Sequence, residues 1–403
     1  MIDARPGHFT IGGLEARSLA ARFGTPLFVY DAATVRATWR ELQSCFGYSP
    51  SMLHYAAVCN PNLHLLRLLR AEGACVHANT PGDVYCALRA GFDPDEIVLS
   101  GSNLGDDDLE YLAASGVHVN VDSLDDLARC CSFPLREREV GLRVHLQGIL
   151  PDSRMGIREH ELGPAVDLAR ARGFRVTALH VYCGTHGRNL DRYRLALARL
   201  VELARPLADV GCLNLGGGFG YDYHEPDERP FPFGELAAYA GGAARELSRV
   251  RGRPVMLRVE PGRAAVAGAG VLLSRVRSVK RSASRRYVGV DTTTANFTSP
   301  VVHGSHRRVV AVEDREPDPL PADVCGCTTY SRDFVAQGAA LGAVETGDLI
   351  AVLDVGAYGY CMASHFLNRP RPAEVFVDRG AATLVTRRET FEDLIARQVD
   401  GPL

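Results

Sequence analysis

The chain has 403 residues, 46% of them hydrophobic and 23% charged, enough to bury a sizeable core in two or three domains or in one large barrel with a smaller partner. A formal net charge of −3 gives no electrostatic footprint for nucleic acid or an anionic membrane. No apolar run approaches the roughly 18 residues of a membrane span, and residues 1–10 lack a basic-then-apolar leader pattern, so a cytoplasmic protein is expected.

A short apolar run at 26–30, opened by Pro26, is predicted to be a strand that returns to pair with a later sheet. From about residue 50 to 260, strand-like runs alternate with helix-length amphipathic segments. The runs lie at 52–58, 74–78, 97–100, 117–121, 140–145, 176–182, 212–215 and 255–260, each bounded by Gly, Pro, Asn or Asp. Among the helices, Leu63, Leu65, Leu66, Leu68 and Leu69 cluster after Pro61 and stop at Gly73. The segment 104–114 carries Asp106, Asp107 and Asp108 in its first turn, where acids suit the helix dipole, and 190–208 repeats Leu and Ala at helical spacing. Eight strand–helix units predict a (β/α)8 barrel of the TIM type, with an open doubly wound sheet as the competing arrangement. Beyond Arg263 the texture changes: 266–280, 286–290, 309–312, 349–353 and 375–377 read as strands separated by turns. The expected division is a barrel over 31–262 and an all-β domain built from 1–30 with 263–403.

Two residue counts bear on chemistry. Of the 45 basic residues one is lysine, Lys280, so any reaction needing a Schiff-base lysine has a single candidate. Eleven cysteines contain no C-x-x-C pair and are odd in number, which reads as reduced thiols, most of them buried, rather than a disulfide framework.

Three segments carry candidate chemistry. Leu215-Gly216-Gly217-Gly218-Phe219-Gly220 follows a predicted strand; such glycines let backbone N–H groups approach an anion, and a tight strand-to-helix turn explains them equally well. Glu260-Pro261-Gly262-Arg263 closes the eighth strand and puts a carboxylate and a guanidinium at the rim where barrel enzymes keep their sites, or else forms a surface ion pair at a turn. Gly356-Ala357-Tyr358-Gly359-Tyr360 lies in the β domain.

Together with Pro26-Leu27-Phe28-Val29-Tyr30-Asp31, His54-Tyr55-Ala56, Asn60-Pro61-Asn62, Asn120-Val121-Asp122-Ser123, Ser153-Arg154-Met155-Gly156-Ile157, Gly347-Asp348-Leu349 and Arg369-Pro370-Arg371-Pro372-Ala373-Glu374, these segments resemble one family from about residue 25 to 377. It is the diaminopimelate/ornithine/arginine decarboxylase family, pyridoxal-phosphate (PLP) enzymes with an alanine-racemase-like barrel and a C-terminal β domain. The resemblance implies that Gly216, Gly217, Gly218, Gly262 and Arg263 hold the cofactor phosphate and that Glu260 meets the pyridine nitrogen. Thr185 stands where the family has a phosphate-contacting serine, and Tyr358 matches a tyrosine that reaches the phosphate. It also implies a homodimer acting on a small amino acid.

The reactive positions depart from the family. Tyr55-Ala56-Ala57-Val58-Cys59-Asn60 puts Val58 where the family has its Schiff-base lysine. Tyr182 replaces the histidine that stacks on the cofactor ring, His77 replaces an aspartate near the lysine, and Thr329-Tyr330-Ser331 replaces the segment that supplies a proton donor across the dimer interface. Lys280 lies twenty residues beyond Glu260 and matches a structural lysine of the family. Such clustered replacement reads as a repurposed pocket.

Three functions follow as expectations: a decarboxylase-like lyase of specialised metabolism that binds PLP or another phosphate-bearing ligand non-covalently; a non-catalytic pseudoenzyme subunit or regulator paired with an active relative; or a cofactor-free enzyme using Tyr182, Tyr330, His77 or a cysteine. Tyr182 and Tyr330 would serve as acids or as a stacking wall, or simply fill the vacated space. Cys59, Cys183, Cys325, Cys327 and Cys361, with His77, His180 and His186, fall in or beside the matched segments. No metal-ligand spacing joins them, so core filling is favoured over a nucleophile or a metal site.

Overall fold

The computed structural model describes residues 1–5, 7–223, 231–304 and 307–399. These form two compact units, one of residues 38–221 and 231–265, the other of 1–37, 222–223 and the described residues from 266 onward.

The first unit is a closed parallel barrel. Its eight strands are Ser51–Ala56, Cys75–Ala78, Ile97–Ser100, His118–Val121, Glu139–His145, Arg175–His180, Cys212–Asn214 and Met256–Val259, one for each predicted run. Each pairs in parallel with its neighbours, and the ring closes where Met256–Val259 meets Ser51–Ala56. Four of the helices between them begin on side-chain caps. Asn62 accepts from the His64 N–H (2.9 Å) ahead of Leu63–Ala71, Thr80 from Asp83 ahead of Pro81–Ala90, Ser123 from Asp126 ahead of Leu124–Cys130, and Asn189 from Arg192 ahead of Leu190–Ala204. Each such cap satisfies an otherwise orphaned backbone donor, about 1 kcal/mol apiece.

Two predicted strands overrun their observed ends by two residues. The run at 52–58 leaves the sheet after Ala56 and turns through a single 3-10 turn, Ala57–Cys59, closed by the Asn60 N–H on the Ala57 carbonyl. The run at 176–182 ends at His180. Both overruns are apolar, so composition could not separate strand from the loop that follows it.

In the second unit the long strand Gly270–Arg281 pairs antiparallel with Leu27–Asp31, Leu349–Val352 and Arg286–Val290. Leu27–Asp31 also runs parallel to Ala373–Asp378, so the N-terminal strand does return into this sheet as predicted. Phe9, Ile11, Leu27, Val29, Val271, Leu273, Leu349, Val375 and Val377 form its core. The predicted strand at 266–280 starts only at Gly270, because 267–269 form a 3-10 turn whose Ala267 carbonyl accepts from the Gly356 N–H (3.0 Å). Among the described residues no helix is long and apolar enough to cross a membrane.

Candidate functional site

Strands buried on both faces are expected to be almost wholly apolar. Here the barrel strands end on polar residues: Ser100, His145, His180 and Asn214 close four of them, His77 lies one residue from an end, and Glu260 directly follows Val259. They therefore gather at the C-terminal rim.

Glu260 is the hub. Only 2% exposed, it accepts from the Asn214 side-chain amide on Oε1 (2.7 Å), while Oε2 lies 3.4 Å from Nε2 of both His77 and His180. Burial alone would raise its pKa. The His77 and His180 imidazoles and the Asn214 amide overcome that and hold the carboxyl well below the usual carboxylate range. Burial pushes the His77 imidazole down to about 4 against the pull of Glu260, so near neutral pH an ionised carboxylate faces a neutral ring. His54, fully buried with no hydrogen bond to either ring nitrogen, is pushed to about 3 by burial and by Arg258.

Asn214 also accepts from the Gly216 N–H (2.9 Å), and the Glu260 N–H donates to the Gly216 carbonyl (2.8 Å), so carboxylate and glycine loop are fixed to one another. Gly216 and Gly218 have φ of +62° and +82°. A Cβ at Gly218 would lie 1.9 Å from the Gly184 carbonyl oxygen, and one at Gly217 2.2 Å from that of Glu260. Only glycine fits. Gly262 is equally constrained, since a Cβ there would meet the Cys59 thiol at 2.4 Å. Arg263, next in sequence, is buried.

Tyr182 packs beside this loop. Its hydroxyl and that of Thr185 are 2.8 Å apart, and the Arg143 guanidinium stands 5.2 Å from its ring centre. Burial raises the phenol pKa. Val58, on the 3-10 turn after the first barrel strand, is 38% exposed. None of the cysteines is joined in a disulfide, and burial raises the thiols of Cys183 to about 12 and of Cys75 and Cys325 to about 11, which makes those three poor nucleophiles.

Within the barrel, then, His77 meets Glu260, Tyr182 meets Thr185, and the glycines adjoin Glu260. Thr329, Tyr330 and Tyr358 belong to the other unit. There Tyr330 is exposed, its ring edge-on to Phe366 at 5.5 Å, in a loop held by Asp333, which accepts from Thr328 Oγ1 at 2.6 Å. Tyr358 has φ +55° and lies edge-on to His303 at 5.9 Å. Lys280, paired in register with Tyr287, is exposed on its strand. Sequence reasoning passed over Asn214 and Arg143. The signal for Asn214 was an amide ending a buried apolar strand.

A closed parallel barrel with its polar residues gathered at the strands' C-terminal ends, together with an all-β unit, defines a barrel protein built as enzymes of that class are. The family model for the pyridoxal-binding domain of pyridoxal-dependent decarboxylases matches residues 32–267, and the chain belongs to that family. Diaminopimelate decarboxylase of Methanothermobacter thermautotrophicus is 34% identical over 97% of this chain and 96% of its own. A crystal structure of an Aquifex aeolicus protein is 27% identical, with TM-score 0.88 over 99% of this chain and 98% of that one. The fold is also that of M. jannaschii diaminopimelate decarboxylase, crystallised with L-lysine (24% identity, TM-score 0.91, 100% of this chain and 98% of that one).

Proposed function

We propose that this protein is a decarboxylase-like lyase of specialised metabolism that grips PLP, or another phosphate-bearing ligand, without a covalent tether. One observation carries the reading: the only lysine, Lys280, is exposed on a strand of the β unit, while the Gly216–Gly218 loop, Asn214 and Glu260 form an intact network at the barrel rim.

The residues suit the phosphate and the ring nitrogen of PLP but offer its aldehyde no amine. Gly216, Gly217, Gly218, Gly262, Arg263 and Thr185 would hold the phosphate, and the ionised Glu260 would face the ring nitrogen. When bound, the group supplies an electron sink for a carbanion. The chain's own part is to orient and to exclude water: Asn214 fixes Glu260 against the glycine loop, His77 and His180 set their Nε2 atoms 3.4 Å from its Oε2, and Tyr182 walls the site beside Thr185. The partners in this reading are a small amino acid and a second copy of the chain, and the setting is the cytoplasm.

Titration with PLP tests the reading. A saturable absorbance change, displaced by inorganic phosphate and altered by an amino acid, is expected; no chromophore and no competition would overturn it. Val58, Thr329 and Tyr330, which place unreactive or altered side chains at the family's reactive positions, favour a second reading: a pseudoenzyme subunit that regulates an active decarboxylase. Copurification with a lysine-bearing relative, with no turnover alone, would establish that one instead. Cofactor-free use of Tyr182, Tyr330 or His77 would show as turnover undiminished after every trace of PLP is removed.

A further inference from the structure

The opposite end of the barrel has its own polar cavity, of about 150 Å³, lined by Pro94, Asp95, His118, Arg136, Glu137, Glu139 and Arg258. Pro94 and Asp95 precede one strand, while His118 and Glu139 each open another, so this is the N-terminal face, remote from the glycine loop. Arg258 lies one inward-facing position before Glu260, since Leu257 and Val259, which flank it, are buried on the other face of the strand.

The charges around the cavity are unevenly matched. Arg136 pairs with Asp95 and stands 3.7 Å from Glu137, both of them well exposed, and Arg175 pairs with Glu139. Among the described residues the Arg258 side chain has no hydrogen bond and no ion pair, and its Nε is sealed from solvent, as is the unpartnered Nε2 of His118. Arg258 is half-buried, and a sealed guanidinium Nε–H with neither a protein acceptor nor a counter-charge calls for a partner. The carboxylates nearby are held by other arginines and screened by water. The unmatched charge is therefore the cation.

The geometry points to a second ligand site, at the N-terminal end of the barrel, where Arg258 and His118 bind a small tetrahedral oxyanion of phosphate or sulfate size. The cavity has room for one such ion with a few waters, at about 30 Å³ per water, and a guanidinium fork suits two of its oxygens. The positive potential there is felt by its neighbours: burial first and Arg258 next push His54 and His118 down to about 3.

Selenate, a sulfate isostere with an anomalous signal, is the probe. Crystals of the full chain grown with PLP, which competes at the glycine loop, and soaked in selenate should show an anomalous peak within hydrogen-bond distance of the Arg258 guanidinium. In solution the Arg258 Nε–H resonance, assigned through its loss in Arg258→Met, should shift saturably with selenate. Arg258→Met should bind selenate roughly tenfold more weakly at this site. Water alone in the cavity, a peak without any solution shift, or equal binding by the variant would each overturn the proposal, and the first two need no variant to fold.

Discussion

At the scale of single residues, the contacts around Glu260 decide what the rim can hold. A buried carboxylate survives only with partners, and removing one while the charge stays buried costs more than removing the charge itself. We expect His77→Leu to lower the urea midpoint by the equivalent of about 2–3 kcal/mol with an unchanged m value. Combining it with Glu260→Gln should cost at least about 1 kcal/mol less than the two single changes summed. Additivity within about 0.5 kcal/mol would mean that the two side chains do not feel each other. His77 was singled out in the sequence as a departure at a reactive position; its contact with Glu260 was not legible, because that pairing spans 183 residues of chain and depends on barrel closure.

At the scale of elements, the glycine loop and the long helix Phe233–Arg251 make opposite uses of glycine. Gly218 has positive φ and no room for a Cβ, whereas Gly242 lies inside the helix with open space around it. Gly218→Ala should abolish phosphate competition in the PLP titration, and Gly242→Ala should raise stability by about 0.5–1 kcal/mol without touching binding. Chemical denaturation and the same titration check both. All eight barrel strands were legible because buried parallel strands are short apolar runs with polar punctuation. The turn Ala57–Cys59 was not, since Ala-Val-Cys suits strand and turn alike, and the hairpin Ile2–Arg5 with His8–Ile11 was missed because its four-residue strands mix polar and apolar side chains. Asn214 eluded the sequence reading because its partner Glu260 is 46 residues away, although an amide closing an apolar strand marked the position.

At the scale of the whole molecule, the buried histidines set the acid limit. His54 and His118 are pushed from 6.5 to about 3 and His77 to about 4, so the folded chain leaves them neutral where the unfolded chain protonates them. The unfolded state then binds more protons, and stability falls as pH drops from about 6.5 toward 4. Glu260 acts in the same direction: its depressed value adds stability that is full above 4.5 and is lost as pH falls below that. Near pH 5 unfolding should take up about three protons from these histidines, measured as the pH dependence of the urea midpoint at constant m. A flat midpoint between pH 6.5 and 5 would show that the rings are already charged in the native state.

The proposed anion grip and the proposed lack of a covalent tether meet in one measurement. The full chain is equilibrated with PLP, desalted, treated with borohydride and weighed intact. The account predicts a chromophore that survives desalting and a protein mass that does not change, while Val58→Lys treated alike gains one pyridoxyl group. A stoichiometric pyridoxyl adduct on the unaltered chain, mapped to Lys280, would contradict it.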